Sequence, residues 1–261
     1  MTRPVATTTM NKEATAWLQR QRPSPDAALR LFCFPYAGGA ANIYRSWSQK
    51  LQPSVEVCPV QPPGRGSRLQ EPPFTKVSDL VEAAATALRP YFDKPFALFG
   101  HSMGAIIAFE LARHLRREQG PAPARLFISG RPAPQLNKSE RPIYNLPQSE
   151  LKEELRRLNG TPPEVLEHPE LMELMLPLLR ADFSVCDTYV YADEPPLDCG
   201  IAAFGGLRDR GVPREKLEAW REQTDGPFSI RMFPGDHFFI HADETLLLRS
   251  LARDLQELID A

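Results

Sequence analysis

The chain is predicted to fold as a doubly wound α/β domain, a mostly parallel sheet with helices on both faces and one helical insertion. Three observations predict it. Short, unbroken apolar runs recur along the sequence, as in strands buried on both faces. Helical stretches alternate with those runs, which is the order a parallel sheet requires. The alternation lapses once, between Ser139 and Tyr191, where Pro147, Pro162, Pro163, Pro169 and Pro177 cut the chain into short helical pieces.

The strand candidates, in order, are Leu29 to Phe34, Val55 to Cys58, Phe96 to Phe99, Arg125 to Ser129, Ile201 to Phe204 and Ser229 to Phe233. Helices are expected at about 77–92, 104–118, 213–221 and 243–260. Within the lapse, short helices are expected around 148–158 and 170–181. Residues 139–191 are too few for a second domain and hold no sheet of their own. They read as an insertion covering the site as a lid, with plain helical packing as the alternative. Residues 1–27 form a polar leader with one helical turn around Trp17, and 28–261 form the domain.

Composition excludes several classes. The 31 basic and 33 acidic residues nearly cancel, so no general attraction to nucleic acid or an anionic membrane follows. Met1 to Gln21 lacks the apolar core of a signal peptide. Runs such as Ala105 to Phe109 are far too short to cross a bilayer. Cys33, Cys58, Cys186 and Cys199 show no C-x-x-C spacing and read as reduced structural thiols of a cytoplasmic protein.

Phe96 to Ala112 carries the chemistry. It holds G-x-S-x-G as Gly100, His101, Ser102, Met103 and Gly104. An apolar strand precedes this motif and a nearly all-apolar helix follows it without a linker, the context of a nucleophile elbow in an α/β-hydrolase. Such a turn is sharp and strained, and small residues must flank the serine where strand and helix backbones approach. The helix N-terminus then aims free N–H groups at charge developing near Ser102.

A serine hydroxyl needs a neighbouring base. Of five histidines, His237 follows the last strand within Phe233-Pro-Gly-Asp-His-Phe-Phe239, at the sheet edge where ligands meet such folds. His241 is the rival. His101 should be turned away from the elbow, and His114 and His168 lie on helical segments. The acid should fall between serine and histidine in chain order. Asp209, in the loop Gly205 to Gly211 after a strand, is preferred over Asp182, Asp193, Asp198 and Asp236. It would accept a hydrogen bond from the imidazole and fix its tautomer. An oxyanion hole needs two backbone donors, expected from Met103 and from Ala37, or a residue beside it, in Phe34-Pro-Tyr-Ala-Gly-Gly39.

Taken together, Phe34 to Gly39, Pro63-Gly-Arg-Gly66 with Arg68, Phe99 to Gly104, Arg180-Ala-Asp-Phe183 and Gly235 to Phe239 resemble the type II thioesterases, editing enzymes that accompany polyketide and nonribosomal peptide synthases. The resemblance runs from about Leu29 to near the C-terminus. It implies Ser102, Asp209 and His237 as the triad and Ala37 and Met103 as oxyanion donors. It also implies a substrate, an acyl group on the phosphopantetheine arm of an acyl or peptidyl carrier protein or on coenzyme A, and no metal or cofactor. The triad alone does not separate thioesters from oxygen esters. A carboxylesterase or lipase, an acyltransferase and a carrier-binding module are the alternatives.

The insertion would supply an acyl chamber, with Leu174, Met175, Leu178 and Phe183 as wall candidates. Arg113, Arg116 and Arg117 cluster as a candidate docking patch for an acidic carrier protein. Cations also suit a helix C-terminus, so a solvated face is the expectation. Arg65 and Arg68 receive no catalytic role, a structural ion pair being an equal reading.

Overall fold

The computed structural model describes residues 16–19, 24–136 and 141–260. Most of the polar leader, residues 1–15 and 20–23, and the first two residues of the expected insertion lie outside them. Six strands, β1 (Leu29–Phe34), β2 (Val55–Pro59), β3 (Phe96–His101), β4 (Arg125–Ser129), β5 (Gly200–Gly206) and β6 (Phe228–Phe233), form one sheet in the order β2-β1-β3-β4-β5-β6. Every neighbouring pair is parallel.

The helices are α1 (Val77–Leu88), α2 (Met103–Arg117), α3 (Gln148–Leu158), α4 (Pro163–Glu167), α5 (Pro169–Asp187), α6 (Arg214–Glu218) and α7 (Glu244–Asp260), with shorter helical turns between. Alternate residues of the strands feed two separate cores. Phe32, Phe34, Leu98 and Ile128 pack toward α1 and α2, whereas Leu31, Cys33, Phe99 and Phe127 pack toward α7. That is the period-two partition of a sheet covered on both faces.

The chain reverses its direction of travel across the sheet between β1 and β3. The two strands are adjacent, but β1 leads outward to β2 and β3 leads the other way. Their C-terminal ends therefore part at a topological switch point, where open α/β sheets hold their ligands.

Helices α3, α4 and α5 lie between β4 and β5. Prolines start them rather than prevent them: Pro147 precedes α3, and Pro163 and Pro169 open α4 and α5. A first-turn N–H has no helical acceptor to lose. Pro177 lies inside α5, which continues to Asp187, beyond the expected end near residue 181. The insertion has a small core of its own, including Leu151, Leu155, Leu166, Met172 and Leu179. At the other end of the chain, Trp17 and Leu18 are buried. Leu18 bridges antiparallel to Val60, and the Arg68 guanidinium lies 4.7 Å above the Trp17 ring.

Candidate active site

Ser102 sits between β3 and α2 at φ 54° and ψ −111°, a conformation that costs free energy for any residue with a side chain. The packing around it shows why glycine flanks it. A Cβ on Gly100 would lie 2.0 Å from the Gly104 carbonyl oxygen, and one on Gly104 would lie 2.1 Å from the Phe34 carbonyl oxygen. The Ser102 N–H donates to the Ser129 carbonyl at 2.8 Å, which anchors the turn to β4. Ser102 is half-buried and lines a cavity of ≈ 590 Å³ at the C-terminal edge of the sheet.

Asp209 and His237 line the same cavity. Asp209 follows β5, His237 follows β6, and Asp209 Oδ2 lies 2.6 Å from His237 Nδ1. Burial pushes the Asp209 pKa upward. The bond to His237 and N–H donors from Gly211 and Val212, at 3.0 and 3.2 Å on Oδ1, outweigh it and hold the carboxyl below its usual range. The carboxylate is thus pinned at both oxygens, and Nε2 is the ring nitrogen of His237 left for other chemistry.

The other candidates are engaged elsewhere. His241 Nε2 lies 2.9 Å from the Tyr36 hydroxyl, and burial lowers its pKa. His101 is fully buried beneath the site, with Nδ1 2.9 Å from Ser129 Oγ, and burial keeps it well below the ordinary imidazole range. Asp236 accepts from the Phe238 N–H and the Asn159 amide, Asp193 meets the Tyr191 hydroxyl, and Asp182 pairs with Arg65.

Ala37 also lines the cavity, in the turn after β1. The Gly39 N–H donates to the Tyr36 carbonyl at 2.9 Å and the Gly38 N–H to Asp182 Oδ2 at 2.7 Å. Neither glycine N–H is free for an oxyanion, whereas the Ala37 N–H has no acceptor among the described residues. Met103, the first residue of α2, carries a first-turn N–H with no helical partner.

Of the four wall residues expected from α5, Phe183 lines the cavity and Leu174, Met175 and Leu178 do not. Leu174 is 58% exposed, Leu178 is buried outside the cavity, and Met175 packs within the insertion's own core. Leu179, Phe183 and Cys186 form the cavity-facing stripe of α5, and Leu155 and Leu158 of α3 add apolar wall. Sequence reasoning missed Leu155, Leu158 and Leu179, because helical periodicity defines an apolar face without saying which neighbour it meets. Burial pushes the Cys186 thiol up to about 11.

The basic cluster on α2 is solvated at its outer end, where Arg117 is exposed and Arg116 half-buried, and departs from the expected solvated face at Arg113. Arg113 is buried, and Arg113, Arg116 and Arg117 all pair with Glu194 at 2.8 Å. Among the described residues, no group of His, Cys, Asp and Glu side chains is gathered to hold a metal ion.

A serine on a strained turn, an aspartate–histidine pair in the same cavity and two free N–H groups nearby can support acyl transfer through a covalent intermediate. The family model described as "Thioesterase domain" matches residues 29–257. The chain belongs to the thioesterase family. It is a hydrolase of acyl thioesters with the α/β-hydrolase fold expected from sequence. The RedJ thioesterase of the prodiginine pathway in Streptomyces coelicolor superimposes with a TM-score of 0.82 at 40% identity, over 89% of this chain and 94% of that one. BorB, a type II thioesterase from the borrelidin cluster, does so with a TM-score of 0.84 at 37% identity, over 94% of this chain and 98% of that one. LgrE of Brevibacillus parabrevis is 45% identical over 243 residues, 92% of each chain. That relative carries the name linear gramicidin dehydrogenase.

Proposed function

We propose that this thioesterase is of the type II, editing class and frees stalled or aberrant acyl groups from the phosphopantetheine arms of acyl and peptidyl carrier proteins, with acyl coenzyme A as a simpler substrate. His237 Nε2 takes the Ser102 proton as Oγ attacks the thioester carbonyl. The Ala37 and Met103 N–H groups hold the oxyanion, and Asp209 steadies the imidazolium. The C–S bond then breaks and His237 returns the proton to the departing sulfur. Water, deprotonated by the same imidazole, releases the acid and restores Ser102. A thiol, with a pKa near about 8.5, leaves far more readily than an alcohol. The α3–α5 insertion acts as lid and chamber wall, with Leu155, Leu179 and Phe183 against the acyl chain.

The observation that carries this reading is the 2.6 Å Asp209–His237 bond in the cavity that holds the Ser102 elbow. The similarity to RedJ and BorB supports the biosynthetic setting. The cytoplasm is the proposed compartment, supported by four cysteines that stand as free thiols.

Time-resolved hydrolysis of one acyl group presented on a carrier protein, on coenzyme A and as an oxygen ester tests it, with Ser102→Ala alongside. Fast release from the carrier protein that disappears with Ser102→Ala is expected. Preference for the oxygen ester would point to a carboxylesterase, and turnover surviving Ser102→Ala would remove the serine from the mechanism.

A further inference from the structure

The reaction as described leaves Arg65 and Asp182 without a role. Their side chains are 4% and 1% exposed, and they meet as a fork, Nη2 to Oδ1 at 2.7 Å and Nη1 to Oδ2 at 2.9 Å. A buried ion pair is by itself weak evidence for stability, because taking both charges out of water offsets their attraction. What else the pair touches is therefore informative. Asp182 Oδ2 accepts the Gly38 N–H at 2.7 Å, and Arg65 Nη1 donates to the Gly39 carbonyl at 3.1 Å. The pair grips the turn after β1 at two successive residues.

Peptide planarity carries that grip to the oxyanion donor. The Gly39 N–H donates to the Tyr36 carbonyl at 2.9 Å. The Tyr36 carbonyl and the Ala37 N–H belong to one peptide plane and point in opposite directions. Fixing the carbonyl inward therefore aims the Ala37 N–H outward. The Gly38 N–H, held by Asp182, fixes the next plane in the same way. Gly38 adopts φ +77°, and a Cβ there would lie 2.9 Å from Leu179 Cδ2, so the turn rests directly on α5. Leu179 and Phe183, which wall the cavity, flank Asp182 on that helix.

We infer that Arg65 and Asp182 are positioning residues that set the Ala37 N–H for the oxyanion and join it to the helix walling the acyl cavity. This rests on the reading of Ala37 as an oxyanion donor. The pair touches no reacting atom. Its effect is to preorganise a donor that would otherwise have to be oriented during the reaction, and preorganisation of this kind raises kcat rather than affinity.

The test compares Asp182→Asn, Arg65→Lys, the double variant and Ser102→Ala on a soluble acyl thioester. Endpoint titration with a fluorophosphonate counts reactive serines. Asp182→Asn is expected to lower kcat per titrated serine on the order of 10- to 100-fold, with KM within about twofold. Affinity for an alkyl boronic acid, whose adduct places an anionic oxygen in the hole, should fall by the same factor. Arg65→Lys keeps the Asp182 acceptor but not the fork and should fall in the same direction, with the double variant less than additive. Full kcat per titrated serine, or a change confined to KM, would overturn the inference. So would loss of folded protein in both single variants, which would assign the pair to stability. Activity retained in Ser102→Ala would instead defeat the serine mechanism, a separable result.

Discussion

Replacing Gly104 by alanine adds one methyl group where none fits. The new Cβ would lie 2.1 Å from the Phe34 carbonyl oxygen and 2.9 Å from that of Pro35. Both obstacles are backbone, so no side-chain rotation relieves them, and reaching even a tight 3.0 Å contact requires a shift of about 1 Å between the end of β1 and the start of α2. Those two segments carry the proposed oxyanion donors, Ala37 beyond Phe34 and Met103 at the head of α2. Misplacement by about 1 Å costs a catalytic constellation on the order of 100-fold. The strain should also lower stability by about 1–3 kcal/mol, which in a chain of this size corresponds to roughly 3–10 °C in Tm. Thermal unfolding and kcat per titrated serine measure the two effects separately. Wild-type Tm together with wild-type turnover would refute the argument, because the methyl group would then have found room that the packing denies it.

Four other outcomes follow from the same geometry. Asp209→Asn should cut kcat by about 10⁴ through loss of the correct imidazole tautomer, and a loss under tenfold would remove Asp209 from the triad. Because the folded-state pKa of Asp209 is depressed, its carboxylate contributes stability above the ordinary carboxylate pKa and loses it as pH falls through the folded value. Any Tm advantage over Asp209→Asn should therefore shrink as pH is lowered through that range, and a gap that widened on acidification would contradict the assignment. Leu155→Trp should fill part of the ≈ 590 Å³ cavity and shift preference toward shorter acyl chains in a graded thioester series, and an unchanged chain-length profile would take Leu155 out of the chamber wall. Glu194→Ala withdraws a carboxylate from buried Arg113, which keeps Glu110 at 3.0 Å, and should cost about 1–3 kcal/mol in denaturant unfolding with turnover intact; a drop in kcat would implicate the cluster in the reaction.

Local order was legible where local forces decide it. β1 and β4 run over the residues their apolar runs mark, and α2 differs from its expected span by one residue at each end. β5 extends to Gly200 and Gly206 because the ladder continues through glycines that carry no apolar signal. That Ser102, Asp209 and His237 would share one cavity was legible because the fold places strand ends at one edge, so chain order and strand position together bring them there. The chamber wall was not: which face of α5 meets the cavity depends on how the insertion lands on the sheet. Nor was the Arg65–Asp182 pair, whose partners are 117 residues apart and whose purpose appears only with the turn they hold.

Cys186 stands in the cavity wall, where the proposed reaction brings a thioester in and sends a free thiol out. A cysteine in that place could steal the acyl group, or couple to an oxidised arm, if it were present as thiolate. Burial pushes its pKa up to about 11, so at pH 7 the group stands as the thiol. Burial, acting against the Arg131 guanidinium that favours the anion, thus keeps this sulfur a thiol and leaves acyl capture to Ser102 in the proposed reaction.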